Sequence, residues 1–128
     1  MTQTALRALV VEDEETSIEQ VTQVLRTLGF AVDVVRDGLD ALARCQSMRY
    51  DLIVCDVRMP RLSGLSVLSN ICGTRNAATR VVMISALDDD SIRRQALASG
   101  AAAYLVKPVT TEMLEVALAP GDSAEPSR

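Results

Sequence analysis

Three carboxylates come directly after short apolar runs in the sequence, and their type and position suit the binding of a hard cation. Glu12 and Asp13 follow the run Ala-Leu-Val-Val, and Asp56 follows Leu-Ile-Val-Cys. Carboxylates that are brought together repel one another, and a divalent cation with oxygen ligands relieves this repulsion. Mg²⁺ is a better candidate than Ca²⁺ because it takes one or two carboxylates and keeps several waters. Asp13 could instead complement the positive end of the helix that follows, and the residues alone leave both roles open.

A second chemistry is open to Asp56, because a carboxylate can act as a nucleophile and form an acyl phosphate. That reaction needs a cation to cancel the charge between two anions, and donors for the phosphoryl oxygens. Ser85 offers a hydroxyl and Lys107 offers a compact cation, each at the end of a further apolar run. Taken singly, such residues are ordinary members of loops, turns and surfaces. Their conjunction favours phosphoryl chemistry.

The composition excludes several other kinds of site. The chain of 128 residues has no histidine, so it offers no imidazole base, no histidine metal ligand and no phosphohistidine of its own. Its formal net charge of −4 argues against direct contact with nucleic acid, since phosphate contacts need clustered Lys and Arg. Cys45, Cys55 and Cys72 form no CxxC pair and lie among apolar residues, which favours core packing in a reducing compartment. No apolar run approaches the ~18 residues of a membrane span, so we expect a cytoplasmic protein without membrane contact.

The elements that must position these side chains follow from the apolar pattern, which predicts five strand–helix units. The predicted strands are 8–11, 31–35, 52–55, 81–84 and 103–106. Between them, apolar residues recur at helical spacing. Strict alternation predicts an α/β fold, a doubly wound parallel sheet with helices on both faces and the most apolar strand, the third, near the centre. Ligands of such sheets bind outside the carboxyl ends of the strands, where the residues above converge.

Five segments of the sequence, taken in order, match a known family. They are Val10-Val11-Glu12-Asp13-Glu14, Asp37-Gly38-Leu39-Asp40-Ala41-Leu42, Asp56-Val57-Arg58-Met59-Pro60 with Gly64, Ser85-Ala86 and Tyr104-Leu105-Val106-Lys107-Pro108. Ser85 and Lys107 lie 22 positions apart (107 − 85), which is typical of the same family. The chain therefore resembles the receiver domain of bacterial two-component response regulators over Leu6 to Leu118. We expect residues 1–118 to form that domain and residues 119–128 to be a linker or a disordered C-terminal tail.

The resemblance implies a flavodoxin-like, five-stranded sheet of order 2-1-3-4-5 with five helices. It also implies a role for each of the three carboxylates at the strand ends. Asp56 would be the phosphoacceptor. Glu12 and Asp13 would form an acidic pocket that holds Mg²⁺ together with Asp56 and the backbone carbonyl of Arg58. The Arg58 guanidinium could also pair with Glu12 or Glu14.

The resemblance further implies how the site communicates with a surface. Ser85 and Lys107 would bind the phosphoryl group, and Tyr104 matches the aromatic switch position. In the family the hydroxyl residue moves toward the phosphate and the aromatic turns inward, which remodels the face built by the fourth helix, fifth strand and fifth helix. The peptide before Pro108 is usually cis there, which would aim Lys107 inward. The Tyr104 ring could otherwise simply cover the core.

The function implied by the resemblance is that of a phosphoacceptor signalling module, not of an enzyme that turns over a substrate. It would take a phosphoryl group from a sensor histidine kinase or a histidine phosphotransfer protein in a Mg²⁺-dependent step, and would assist its own phosphorylation and dephosphorylation. It would then regulate an output domain or protein, with a phosphorylation-dependent dimer as one form of that output. The alternative is a receiver-like interaction module that works without phosphorylation. A phosphatase with an aspartyl nucleophile is disfavoured, because such enzymes need a second acid where Arg58 stands.

Overall fold

The computed structural model describes residues 6–119, in which strands and helices alternate along the chain. The strands are β1 (Leu6–Val11), β2 (Phe30–Val35), β3 (Leu52–Asp56), β4 (Arg80–Ser85) and β5 (Ala103–Val106). The helices are α1 (Glu15–Thr27), α2 (Gly38–Ser47), α3 (Gly64–Ile71), α4 (Asp90–Ala98) and α5 (Thr111–Leu118). Each predicted strand is present, with bounds that agree within two residues. The predicted C-terminal tail lies outside the described residues, apart from Ala119. Within the described range, every helix is too short or too polar to cross a membrane.

The five strands pair in parallel in the order β2-β1-β3-β4-β5, which confirms the predicted sheet. β3 is the central strand, and all five of its residues are buried. Val11 pairs with both Val35 and Cys55, and Ser85 pairs with Val106. The carboxyl ends of the strands are therefore aligned along one edge of the sheet.

Two apolar layers hold the helices against the sheet, one on each face. Successive residues of β3 alternate between the layers, because side chains of a strand point to opposite faces. Ile53 and Cys55 pack with residues of α2, α3 and α4, whereas Leu52 and Val54 pack with residues of α1 and α5. This arrangement confirms the doubly wound architecture and explains why the β3 sequence is apolar at every position before Asp56.

Polar side chains fix the starts of four helices by accepting a backbone N–H that has no partner within the helix. Asp37 caps α2, Ser63 caps α3, Asp89 caps α4 and Thr110 caps α5. The caps of α3 and α4 lie in the connections that leave β3 and β4, so they also set the course of the chain just beyond the carboxyl edge.

Asn76 is a buried connector that the hydrophobic pattern did not reveal. Its side chain is fully buried, and its Oδ1 accepts the Tyr50 N–H at 2.8 Å. Its Nδ2 donates to the carbonyl oxygens of Cys45 and Met48, at 2.8 and 2.9 Å. Because a buried amide with satisfied hydrogen bonds is specific in its geometry, Asn76 fixes the end of α2 relative to the start of β3.

The prediction that all three cysteines lie in the core is confirmed for two and wrong for the third. Cys45 and Cys55 are buried, and burial raises the pKa of the Cys45 thiol to about 11. Cys72 is exposed, because α3 ends at Ile71 and Cys72 forms its C-cap at the surface.

Gly64, the first residue of α3, lies against the backbone at the end of β3. A Cβ at this position would overlap the carbonyl oxygen of Asp56 and come within 2.9 Å of the Val57 Cα. The Gly64 N–H donates to the Val57 carbonyl oxygen at 2.8 Å. Only a residue without a side chain allows the chain to pass this close to Asp56.

We predict that Gly64→Ala lowers the free energy of unfolding by about 2 kcal/mol, because backbone atoms rather than a flexible side chain must move to admit the methyl group. Gly73→Ala is the matched control, since a Cβ there would meet only the Asn70 carbonyl oxygen, at 3.7 Å. Its effect is expected to stay below about 1 kcal/mol in either direction. Urea unfolding followed by far-ultraviolet circular dichroism measures both, and equal losses in the two variants would contradict the prediction.

Candidate functional site

The carboxyl edge of the sheet gathers the polar residues that follow β1, β3, β4 and β5. Asp56 and Ser85 are the last residues of β3 and β4, whereas Glu12 and Lys107 each come one residue after a strand. Backbone hydrogen bonds continue the strand pairing here: the Glu12 N–H donates to Val35 at 3.0 Å, and the Lys107 N–H donates to Ser85 at 2.8 Å. The predicted convergence of these residues is therefore present for Glu12, Asp56, Ser85 and Lys107.

The Lys107 ammonium lies between two buried carboxylates. Its Nζ is 2.7 Å from Asp56 Oδ2 and 2.8 Å from Glu12 Oε1. The Glu12 side chain is fully buried, and the side chains of Asp56 and Lys107 are 8% and 15% exposed. Glu14 lies at the margin, with its Oε1 3.9 Å from Nζ. The peptide between Lys107 and Pro108 is cis, as the family resemblance implies.

Burial and proximity shift the protonation equilibria of this group. Loss of hydration raises the pKa of Glu12, with the neighbouring Asp56 carboxylate adding to the effect and Lys107 opposing it. Burial works against the charge of Lys107, but its interactions with the carboxylates of Asp56 and Glu12 outweigh that effect, and the pKa of the ammonium is raised. Lys107 therefore remains charged at neutral pH. It is also the only lysine in the sequence.

Backbone N–H groups orient the remaining carboxylate oxygens. The Arg58 N–H donates to Asp56 Oδ1 at 3.0 Å, and the N–H groups of Asp13 and Glu14 donate to Glu12 Oε2 at 3.1 Å. Each carboxylate is thus held by one cation and by the chain that follows its own strand. This arrangement presents the Asp56 oxygens at the strand end in a fixed orientation.

Ser85 is buried beside this group, with 2% of its surface exposed. Its Oγ accepts the Leu87 N–H at 3.0 Å, which turns the chain after β4. The hydroxyl hydrogen remains free to donate, since the bond to Leu87 uses only an acceptor lone pair.

Asp13 and Arg58 have exposed side chains. The suggested pairing of the Arg58 guanidinium with Glu12 or Glu14 is not present: among the described residues, the cation within 4 Å of both glutamates is Lys107. The reason is geometric, because Lys107 enters from β5 directly between the carboxylates, whereas Arg58 lies on the connection that leaves β3.

The donor set suits Mg²⁺ by chemistry. Among residues 6–119, no group of three or more His, Cys, Asp or Glu side chains is arranged to hold a metal. The available ligands are the carboxylates of Asp56, Glu12 and Asp13 and the Arg58 carbonyl, and Mg²⁺ accepts a few such oxygens and completes its shell with water. Within residues 6–119, Glu12 Oε1 is a buried oxygen without a well-aligned hydrogen-bond donor, although Lys107 Nζ lies 2.8 Å away. The carboxylate oxygens of the pocket therefore favour a cation.

Tyr104 is connected to the site through the chain after β4. The residue is 7% exposed, and its hydroxyl donates to the Leu87 carbonyl oxygen at 2.7 Å. The guanidinium of Arg93 lies over the ring, 5.1 Å from its centroid. Arg93 was not predicted from the sequence, in which its spacing of three residues from Asp90 was the one available signal.

Comparison with known proteins places these features in a family context. The family model described as the response regulator receiver domain matches residues 8–119. The chain is 37% identical over 110 residues to the response regulator MprA of Mycobacterium tuberculosis, an alignment that covers 86% of this chain and 47% of MprA. The chain thus spans about half the length of this curated relative.

Solved structures with a similar fold include proteins that carry a phosphorylated aspartic acid or a divalent metal ion. A response regulator from Burkholderia pseudomallei with a phosphorylated aspartic acid and a calcium ion is 25% identical, with a TM-score of 0.81 over 90% of this chain and 67% of that one. The receiver domain of a sensor histidine kinase from Pseudomonas aeruginosa, with a magnesium ion in its active-site cleft, is 31% identical. Its TM-score is 0.76 over 88% of this chain and 93% of that one.

We predict that Lys107→Met destabilises the fold by about 3 kcal/mol at neutral pH, because it leaves two adjacent buried carboxylates without a cation. In the variant the ammonium no longer opposes the burial that raises the pKa of Glu12, so this carboxyl binds a proton more tightly in the folded than in the unfolded chain, and its contribution to stability rises as the pH falls. Because the pKa of Lys107 is raised in the folded chain, its ion pairs stabilise the fold at every pH below the pKa of an unfolded lysine. That stability is lost only when the pH rises through the pKa of the folded state.

The difference in the free energy of unfolding between wild type and Lys107→Met should therefore narrow from about pH 7 to about pH 5. Urea titrations at both pH values measure it, with Lys107→Arg as a control that keeps the charge. A difference that stayed constant or widened on acidification would contradict the prediction.

Proposed function

Because the chain belongs to the response regulator receiver domain family, we propose that it accepts a phosphoryl group on Asp56 from the phosphohistidine of a sensor histidine kinase or a histidine phosphotransfer protein. The observation that carries this proposal is the contact of 2.7 Å between Lys107 Nζ and Asp56 Oδ2 at the carboxyl end of the central strand. A carboxylate that is held by a cation and faces the open edge of a parallel sheet is placed for reaction with an anionic group. Since the chain has no histidine, the imidazole belongs to the donor protein.

In the proposed transfer, an oxygen of Asp56 forms a bond to phosphorus while the bond between phosphorus and the imidazole nitrogen breaks. The imidazole nitrogen keeps the bonding electron pair, and the product is an acyl phosphate on Asp56. Little covalent work is left to the protein, so its contribution is position and charge. The backbone N–H of Arg58, 3.0 Å from Asp56 Oδ1, keeps the carboxylate in one orientation.

Lys107 and Ser85 supply the donors for the transferred group. An ammonium carries three N–H donors, and one of them is bonded to Asp56 Oδ2, while Glu12 is held as an ion pair. A further N–H of Lys107 can meet a phosphoryl oxygen, and the Ser85 hydroxyl can donate to another from the end of β4. Glu12 acts as a positioning residue, because its buried carboxylate keeps the Lys107 ammonium at the strand ends.

Mg²⁺, when bound, would cancel charge between the Asp56 carboxylate and the approaching phosphoryl group. We assign Glu12, Asp13, Asp56 and the Arg58 carbonyl as the residues that would hold it. The exposed Asp13 side chain follows Glu12 directly, which leaves it free to take a position in a metal shell or to contact metal-bound water.

Signalling rather than turnover is the role we infer, with residues 1–118 as the receiver domain and residues 119–128 as a linker or C-terminal tail. The chain would carry one phosphoryl group per molecule and regulate an output domain or protein through the face of α4, β5 and α5, with dimerisation as one form of output. The net charge of −4 is consistent with an output that does not use this segment to contact DNA. We place the protein in the cytoplasm, where such kinases present their phosphohistidine.

We predict that the wild-type protein gains the mass of one phosphoryl group on incubation with Mg²⁺ and acetyl phosphate, and that Asp56→Asn gains none. An amide is too weak a nucleophile for this attack, so the loss should be complete rather than partial. Intact-mass spectrometry measures the gain directly.

Asp51→Asn is the matched control, because Asp51 lies just before β3, at the opposite end of the same strand from Asp56. It should be phosphorylated like the wild type, and removal of divalent cations with a chelator should suppress the gain in both. Equal labelling of Asp56→Asn and wild type, or no labelling of wild type with either acetyl phosphate or a cognate kinase, would contradict the proposed function.

A further inference from the structure

A chain of contacts leads from the candidate phosphoryl site to the surface of α4, and the proposed function uses only its first part. Ser85 Oγ accepts the Leu87 N–H at 3.0 Å, and the Leu87 carbonyl oxygen accepts the Tyr104 hydroxyl at 2.7 Å. One peptide segment is therefore bonded on one side to the site and on the other to the ring of Tyr104. A displacement of Ser85 changes both bonds.

Arg93 is fixed over the Tyr104 ring by two carboxylates. Its Nη2 lies 2.8 Å from Asp88 Oδ1, and its Nη1 lies 2.7 Å from Asp90 Oδ1. An arginine is planar and uses its two terminal nitrogens as a fork, so two such partners set the orientation of the whole group. In this orientation the guanidinium carbon is 5.1 Å from the centroid of the ring, within the range of a cation–π interaction.

The pairing is more than an ordinary contact between neighbours on a helix surface. Asp90 and Arg93 are three positions apart in α4, and such pairs are common. Asp88, however, precedes the helix and directly follows Leu87, whose carbonyl oxygen accepts the Tyr104 hydroxyl. The segment of Leu87 and Asp88 therefore accepts the Tyr104 hydroxyl and also anchors the Arg93 guanidinium that covers the face of the ring.

We propose that Arg93 is a positioning residue that holds Tyr104 in its buried conformation. The ring is then held at both its hydroxyl and its face. If Asp56 is phosphorylated as proposed above, Arg93 sets how readily the surface of α4 and β5 responds to the phosphoryl group, and this consequence rests on the proposed function. Removing the guanidinium frees one face of the ring, whereas the bond to Leu87 remains.

The test uses fluorotyrosine incorporation and fluorine NMR. The sequence has two tyrosines and no tryptophan, so two resonances are expected, and Tyr50→Phe assigns them. Broadening by a soluble nitroxide reports the exposure of the Tyr104 ring. Because Arg93→Gln removes the cation–π contact, we expect it to increase the ratio of the exposed to the buried conformation of the Tyr104 ring by about two- to fivefold.

Arg94→Gln is the matched control, because Arg94 is the adjacent arginine of α4 and has an exposed side chain. It should leave the Tyr104 resonance and its broadening unchanged. The double variant Asp88→Asn, Asp90→Asn provides a second test that keeps Arg93 but removes its anchors, and it should also increase exposure. An unchanged Tyr104 signal in Arg93→Gln, or an equal change in Arg94→Gln, would overturn the proposal.

Phosphoryl incorporation separates this inference from the proposed function. Because the ring measurement is made without a phosphoryl donor, it decides the role of Arg93 even when Asp56 takes no phosphoryl group. With acetyl phosphate and Mg²⁺, Arg93→Gln should gain phosphoryl mass as the wild type does. A selective loss of incorporation in Arg93→Gln would overturn the proposal, since it would show that the arginine acts on the phosphoryl site itself.

Discussion

The ion pairs of Lys107 with Glu12 and Asp56 are the interaction on which the rest of the site depends. Two carboxylates enclosed by apolar strands repel each other and lose hydration, and a cation between them offsets both effects. Lys107 Nζ is that cation, within 2.8 Å of an oxygen on each carboxylate. Since the ammonium is a compact charge with several donors, it can hold the carboxylates and still contact an incoming anion.

The parallel sheet makes this arrangement possible. Glu12, Asp56 and Lys107 come from three different strand ends, and only a shared carboxyl edge brings them together. Close packing then maintains the edge: Gly64 lets α3 begin against the Asp56 backbone, and the caps of α3 and α4 direct the connections away from it. Stability and chemistry are thus linked, because changes that loosen these connections also move the Asp56 carboxylate.

Most of the fold and the polar members of the site could be predicted from local patterns and a family resemblance. Apolar runs of strand length located each strand within two residues, because burial on both faces of a parallel sheet demands continuous apolar sequence. Features that depend on contacts between distant segments were missed. Asn76 joins α2 to β3 across about 30 positions of sequence, and such bonds leave no local pattern. The exposure of Cys72 likewise depends on where α3 ends.

The sequence by itself determined which groups can react: a carboxylate, a hydroxyl and a single lysine at strand ends, with no histidine. That information resides in residue type and in position relative to apolar runs. Only the tertiary structure decided which groups touch. It paired Glu12 with Lys107 rather than with Arg58, and it placed Arg93 over Tyr104. The physical reason is that electrostatic and aromatic contacts act over a few ångströms in space, whereas the sequence specifies order along the chain and leaves those distances to the packing of strands and helices.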